Sequence, residues 1–367
     1  MLNPSRLALA RRRRGLTQIG LARELGVSAR MVAFYESGEK PPSDETLENI
    51  ARLLKFPIEF FEGDDLEEIK PEEVSFRALS SLLARQRDAA LSAGSLALEL
   101  NRWIERRFTL PAVNLPNLRH FEPEAAAMAL RAEWGIGERH IKNMVHLLEA
   151  HGVRVFSLCE YHREVDAYSF WRAQIPFVFL NTMKTPEHSR YDAAHELGHL
   201  VLHRHGAQGG REAEYQANAF ASAFLMPRAS VIAHAPRYPK LDYVLNLREI
   251  WGVSAAALVR RLHEVKMLSD WSYRALSIEI GKRGLRTDED TGSQRETSQV
   301  LQKVFVQLRE EGVTKADVAR ELQIHTTELD ALIFGLVTMS SVPGGRSTDS
   351  VPQNQTPQNR ATLRLVR

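Results

Sequence analysis

The stretch YDAAHELGHLVLH, residues 191–203, decides the fold of the central part of this chain. It places His195 and His199 four residues apart. Because an α-helix turns once every ~3.6 residues, both imidazoles leave the same face. The positions beside that face are apolar, namely Ala193, Ala194, Leu197, Leu200, Val201 and Leu202. We therefore predict a buried helix whose two histidines need polar partners, since an unpaired buried polar group is costly.

Two imidazoles on one helix face suit zinc, which takes a carboxylate as a third protein ligand and leaves a fourth position for water. Glu196 follows the first histidine, where it can take the proton of a water that attacks a peptide carbonyl. Gly198 allows a backbone or a substrate to approach the helix closely. HExxH also occurs by chance on surface helices with solvated histidines, so the apolar flanks carry the prediction of a zinc peptidase site.

The third ligand is expected from the next helix, REAEYQANAFASAFLMP at 211–227. Glu212 and Glu214 both offer a carboxylate there. We favour Glu214, because Asn218 follows it by four residues on the same face and would orient a ligand imidazole from behind. His203 and His205 are expected at the surface or behind the ligands rather than on the metal.

The combination of HELGH, ExxxN and FLMP resembles the ImmA/IrrE family of bacterial metallopeptidases, over roughly residues 120–285. The resemblance implies a thermolysin-like core of helices packed on a small three-stranded sheet. It implies Zn²⁺ on His195, His199 and Glu214, with Glu196 as the catalytic base. The implied substrates are transcriptional repressors that are cut in a stress or mobile-element response. Neither Tyr191 nor His188 can be assigned as the group that stabilises the oxyanion.

A second stretch, LTQIGLARELGVSARMVAFYESG at 16–38, predicts two helices around a turn at Gly26, with Ser28 as the N-cap of the second. It resembles the XRE, or Cro/CI-like, domain across residues 5–62. The resemblance implies that the second helix enters the major groove of double-stranded DNA, with the arginines of 11–14 on the backbone. The candidate DNA contacts are Gln18, Ser28, Ala29, Arg30, Met31, Ala33, Arg13 and Arg14.

The charge of this module leaves a protein-docking role open. Residues 1–62 carry ten Lys or Arg against eight Asp or Glu, a net charge of only +2. That is a weak electrostatic footprint for DNA, and the exposed face has few of the usual base-reading side chains. Because such modules gain affinity and match two half-sites by pairing, we expect a homodimer.

The composition is that of an ordinary globular protein, with 44% hydrophobic and 26% charged residues in a chain of 367. One cysteine, Cys159, excludes an intrachain disulfide and fits a reducing cytoplasm, and we expect that thiol to be at least partly buried and not catalytic. No run of ~18 apolar residues predicts a membrane span. We therefore expect a cytoplasmic protein whose zinc site uses histidines and carboxylates.

The chain is predicted to be multidomain, with an all-α helix-turn-helix head, an α+β zincin-like domain containing three short strands, and a helical C-terminal region. A weak internal repeat aligns residues 313–335 with 16–38, although Gln323 replaces the turn glycine. The acidic stretch after the head is expected to be a linker without a packing face. The predicted boundaries are 1–62 for the head, 63–120 for a linker and helical segment, 121–286 for the zincin-like domain, 287–339 for the C-terminal region and 340–367 for a disordered tail.

Three functions compete at this point. The first is a DNA-binding transcriptional regulator that also cleaves a protein, either a repressor or itself, at the zinc site. The second is a non-catalytic regulator in which the zinc domain senses a metal or a ligand. The third is an antitoxin-like module that docks another protein. The presence of Glu196 favours the first over the second, because a sensor has no need of the base.

Overall fold

The computed structural model describes residues 2–74, 83–158, 167–204, 210–236, 239–285, 294–337 and 364–365. Within these ranges the chain forms sixteen α-helices and a three-stranded mixed sheet, which confirms the predicted multidomain fold class. Cys159 and His205 lie outside the described residues. No helix in the described ranges is long and apolar enough to cross a membrane.

The head consists of four helices followed by a 3₁₀ turn at Ile58–Glu62. Each internal helix starts at a hydroxyl N-cap, and α2 ends at Gly26 with a φ of 69°, a left-handed conformation that glycine adopts without strain. Leu7, Leu21 and Val32 are completely buried between the helices. The helices are α1 (Pro4–Arg13), α2 (Gln18–Leu25), α3 (Ala29–Ser37) and α4 (Asp44–Leu54).

The acidic stretch after the head does pack, and the expectation of a linker without a packing face is wrong. Leu66, Ile69 and Val74 are all buried. These apolar residues recur every three to five positions along the acidic stretch. Ile69 reaches Gly94 on α5 (Ala84–Glu105), a long helix that also packs against α1. The head is therefore seated on the rest of the molecule.

In the central region the helix α8 (Pro186–Leu202) packs on the small sheet. The strands are β2 (Arg154–Ser157), β3 (Ala167–Arg172) and β4 (Ile175–Leu180), and β1 is the short strand Phe108–Thr109. The order is β2-β4-β3, with β2 parallel and β3 antiparallel to β4. The helices of this region are α6 (Pro123–Glu133), α7 (Met144–Ala150), α8 (Pro186–Leu202), α9 (Arg211–Leu225), α10 (Arg228–His234), α11 (Leu241–Leu247), α12 (Ala255–Glu264) and α13 (Asp270–Lys282).

The C-terminal region has the local geometry of a second helix-turn-helix, built by α14 (Gln299–Glu310), α15 (Lys315–Glu321) and α16 (Thr326–Ile333). Thr314 caps α15 as Thr17 caps α2. Gln323, at the position of Gly26, has a φ of 56°, so the turn keeps its left-handed residue without a glycine. Within the predicted tail, Arg364–Leu365 pair with β1, and residues 338–363 lie outside the described residues.

Candidate metal centre and helix-turn-helix face

The start of helix α8 is defined by local sequence signals, an N-cap and a proline. The hydroxyl of Thr185 accepts the backbone N–H of His188, and Pro186 occupies the first helical position. Farther along the helix, a Cβ on Gly198 would stand 3.2 Å from the Cα of Ala217 on α9. The close approach that this glycine was expected to allow is therefore the backbone of α9, which brings the two helices together at the candidate site.

His195, His199 and Glu214 converge on one point between α8 and α9. The Nε2 atoms of the two histidines are 3.1 Å apart. Each also lies close to a different oxygen of Glu214, at 3.3 Å for His195 and 3.4 Å for His199. We call these three residues the donor triangle, and Glu214 rather than Glu212 belongs to it.

The separations of 3.1, 3.3 and 3.4 Å fit a tetrahedral metal site. Zinc bonds of ~2.0–2.2 Å to nitrogen and oxygen at tetrahedral angles place ligand atoms about 3.3 Å apart, close to the separations observed. His199 and Glu214 are buried and His195 is half-buried. Burial opposes ionisation of Glu214, but its contacts with the two imidazoles outweigh burial and lower its pKa. The donor set therefore fits a divalent metal, and no other group of three such residues is found among the described ranges.

Glu196 is buried beside the triad and is held by a residue from the sheet. The hydroxyl of Ser169 on β3 donates to Oε2 of Glu196 at 2.6 Å. Because α8 packs directly on β3, the carboxylate stands at the inner side of the helix rather than in solvent. Sequence spacing gave no signal for Ser169, since the serine reaches the site only through the pairing of an edge strand with the rest of the sheet.

Asn218 contacts a ligand, although in a different way from the one expected. Its amide donates to the backbone carbonyl of Glu214 at 2.8 Å, and so it does not orient an imidazole. The carbonyl of Asn218 in turn accepts the hydroxyl of Tyr191 at 3.1 Å, and burial raises the pKa of Tyr191 to about 12. Asn218 follows Glu214 by four residues on α9, so the backbone carbonyl of Glu214 is a near acceptor for its amide.

The imidazole of His199 is contacted instead by His203, the next residue on the same face of α8. The two Nδ1 atoms are 3.1 Å apart. Nε2 of His203 lies 2.9 Å from the amide oxygen of Gln216, whose nitrogen donates to Glu212 at 3.1 Å. Burial lowers the pKa of His203 below its ordinary value. The spacing of 195, 199 and 203 was the available signal for this residue.

A cavity of about 370 Å³ opens one helical turn from the triad. Tyr191 and Asn218 line it, and each stands four residues from a triad member on its own helix. The opposite wall comes from α12 and α13, with Arg260 and Tyr273 among its residues. A cavity of this size beside the three donors offers room for part of a peptide chain.

The exposed face of the helix-turn-helix is built by the first turn of α3. Ser28 caps that helix by accepting the backbone N–H of Met31, and Ala29 and Arg30 are exposed. The guanidinium of Arg30 lies 5.1 Å from the ring centre of Phe34. Met31 and Ala33 are half-buried, and the exposed Gln18 donates to Glu36. Arg30 is thus the candidate cation at the tip of this face.

Arg13 and Arg14 are not placed as DNA contacts, which corrects the expectation for the arginine run. Arg13 is buried and pairs with Glu328 on α16 at 2.9 Å, and Arg14 pairs with the same carboxylate at 2.5 Å. The preceding two arginines pair with Glu36 and Glu68. Because each guanidinium is turned toward a carboxylate of this chain, the run forms an internal ionic network instead of a basic stripe.

Comparison with known families identifies the same two segments. Residues 148–263 match the Peptidase_M78 model, described as the IrrE N-terminal-like domain, and residues 7–61 match HTH_3, described as Helix-turn-helix. The first match contains the whole triad and Glu196, and the second contains all of α1 to α4 except the three residues before Leu7. A search of curated proteins found no match.

Proposed function

We propose that this chain, which joins an XRE-type helix-turn-helix head to an IrrE N-terminal-like Peptidase_M78 domain, is a DNA-binding regulator that hydrolyses a peptide bond in a repressor-type protein. It would act as a homodimer on a two-fold operator in the cytoplasm. The observation that carries the enzymatic part is the triangle of His195, His199 and Glu214 with Glu196 beside it.

Zinc bound by these three residues would act as a Lewis acid and favour ionisation of a water molecule. The side chains of the protein place the proton acceptor and the peptide. Glu196, held by Ser169, accepts the proton of the attacking water and passes it to the departing amine nitrogen. The peptide lies along the cavity beside Tyr191 and Asn218, where α12 and α13 shield it from solvent.

The catalytic assignment is tested by Glu196→Gln, with zinc-loaded full-length protein and the repressor encoded nearest to its gene as the substrate. The variant keeps the three ligands and the shape of the side chain but loses the base, so we expect full zinc content and loss of cleavage by at least ~100-fold. Glu149→Gln is the matched control, because Glu149 is another buried glutamate and does not line the cavity.

Each outcome separates the competing functions. Undiminished cleavage by Glu196→Gln would exclude Glu196 as the base. Absence of cleavage by wild-type protein that holds one zinc would favour the non-catalytic sensor. Glu214→Ala should lower zinc retention in metal analysis much more than Glu212→Ala, because Glu212 is not one of the three donors; the opposite order would assign the ligand to Glu212.

DNA binding is tested by Arg30→Ala in a gel shift on the protein's own promoter region. Loss of a groove-facing cation should cost about 1–3 kcal/mol of binding, which is roughly 5- to 150-fold in affinity. Arg23→Ala is the control, because the Arg23 side chain is 80% exposed but stands on α2. Equal shifts for both variants and the wild type would favour the protein-docking role.

A further inference from the structure

Behind His199, three polar side chains form a chain of hydrogen bonds that leads away from the triad. It runs from Nδ1 of His199 to His203, from His203 to Gln216 and from Gln216 to Glu212. This chain of hydrogen bonds crosses from the end of α8 to α9 between His203 and Gln216, both of which are half-buried. None of these three side chains belongs to the donor triangle itself.

The direction of every hydrogen bond in this chain follows from its acidic end. A carboxylate accepts only, so the Gln216 amide presents its nitrogen to Glu212 and its oxygen to His203. Nε2 of His203 must therefore carry a proton and donate it. In a neutral imidazole the other nitrogen is then an acceptor, so Nδ1 of His203 accepts a proton from Nδ1 of His199.

His199 lies at the other end of this chain of hydrogen bonds. With its proton on Nδ1, a neutral His199 has a lone pair on Nε2, and Nε2 is the atom that faces His195 and Glu214. The opposite tautomer would place an N–H where a metal has to bind. The chain of bonds therefore selects the one tautomer of His199 that can act as a ligand.

We propose that His203 is a positioning residue of the metal centre, with Gln216 and Glu212 as its anchors, and that it holds His199 in the orientation and tautomer needed to bind the metal. The proposal rests on the metal-binding part of the proposed function and does not require turnover. It also gives Glu212 a role distinct from that of Glu214. Hydrogen-bond partners behind ligand histidines typically change metal affinity by ~10–100-fold.

The test measures Zn²⁺ affinity of full-length protein by competition with a chromophoric chelator. His203→Phe fills the same space but has no acceptor, so we expect ~10- to 100-fold weaker zinc binding. His203→Asn returns an acceptor oxygen near the position of Nδ1 and should recover affinity to within a few-fold of wild type. Gln216→Met removes the acceptor for His203 and should weaken zinc binding as well.

Gln307→Met is the matched control, because Gln307 is half-buried and donates to Glu311 at 3.1 Å on α14, with the same helical spacing. It should leave zinc affinity unchanged. In the double variant His203→Phe/Gln216→Met, affinity should equal that of His203→Phe alone, since both changes break one chain.

Several results would overturn the proposal. Equal losses of zinc affinity in His203→Phe and His203→Asn would mean that the residue only packs α8 against α9. Wild-type zinc affinity in Gln216→Met would show that the hydrogen bond from His203 to Gln216 does not support metal binding. If His203→Phe lowers thermal stability without zinc, the Asn variant still separates packing from hydrogen bonding. Failure of wild-type protein to bind zinc would instead remove the metal site, and zinc binding without cleavage would affect only the proposed catalysis.

Discussion

Single residues of the candidate site are held by partners both near to them and remote from them in sequence. Glu196 takes its hydrogen bond from Ser169 on β3, and His199 takes its contact from His203 on the same helix. The donor triangle itself needed only a helical spacing of four and a second helix nearby. The arginines of α1 show the opposite situation, because Arg13 and Arg14 meet the carboxylate of Glu328 from the other end of the chain.

Ser169→Ala should slow cleavage by about 10- to 150-fold and leave zinc content unchanged. The serine donates to the carboxylate of Glu196 at 2.6 Å, and loss of a hydrogen bond to a charged group costs ~1.5–3 kcal/mol. The control is Ser157→Ala, because Ser157 is equally buried on β2 but bonds to Thr182. The measurement is the initial rate on the repressor substrate; equal rates for the two variants would mean that Ser169 does not position the base.

At the scale of elements, the metal centre depends on how closely α8 and α9 approach each other. Gly198 lies where a Cβ would stand 3.1 Å from Phe220 and 3.3 Å from the carbonyl of Ala217. Ala217 stands between Glu214 and Phe220 on the inner face of α9. Since the backbone of a packed helix cannot move as easily as a side chain, this contact fixes the distance between Glu214 and the two histidines.

Replacement of Gly198 should therefore affect metal binding in order of size. Gly198→Ala requires a shift of a few tenths of an ångström and should weaken zinc binding mildly. Gly198→Val should cost ~1–3 kcal/mol of stability through overpacking and weaken zinc binding more strongly. Zinc titration and thermal unfolding check both effects. Gly281→Val, on the exposed face of α13, is the control, and identical zinc affinity in all variants would contradict the role of the contact.

At the scale of the whole molecule, carboxylates of the C-terminal region join it to the head and to the metal-binding region. Glu328 pairs with Arg13 and Arg14 of the head. Glu296 pairs with Arg190 on α8 and accepts the first backbone N–H groups of α7. The second helix-turn-helix geometry is thus used for contacts within the chain. Its second helix, α16, corresponds to a recognition helix and pairs through Glu328 with Arg13 at the end of α1.

Glu149 completes this connection and makes it sensitive to pH. It accepts the hydroxyl of Ser298 and the backbone N–H groups of Gln299 and Val300, so it caps α14 from α7. Burial raises its pKa to about 7, although these hydrogen bonds and the charge of Arg154 act in the opposite direction. The carboxyl is therefore protonated in the folded protein at pH values where it is ionised in the unfolded chain.

The stability contributed by this group should fall as pH rises. Between the unfolded pKa near 4.5 and the folded pKa of about 7, only the folded state binds the proton, so the free energy of unfolding decreases by up to about 3 kcal/mol. Glu149→Gln removes the titrating group, so the free energy of unfolding should depend less on pH. Urea unfolding at pH 5 and pH 8 measures this difference. The control is Glu105→Gln, at the half-exposed partner of Arg154. A wild-type pH dependence in Glu149→Gln would contradict the assignment.

The sequence by itself determined the features that depend on local spacing. HELGH defined a helix with two histidines on one face, ExxxN directed the choice to Glu214, and the pattern at 16–38 defined the helix-turn-helix, because helical periodicity and capping are properties of neighbouring residues. Only the tertiary structure decided which side chains meet across elements. It placed Ser169 on Glu196, turned Asn218 back to its own helix and paired Arg13 and Arg14 with Glu328. Such contacts depend on the packing of segments far apart in the chain, and a charge or hydroxyl shows nothing of its partner until those segments are folded together.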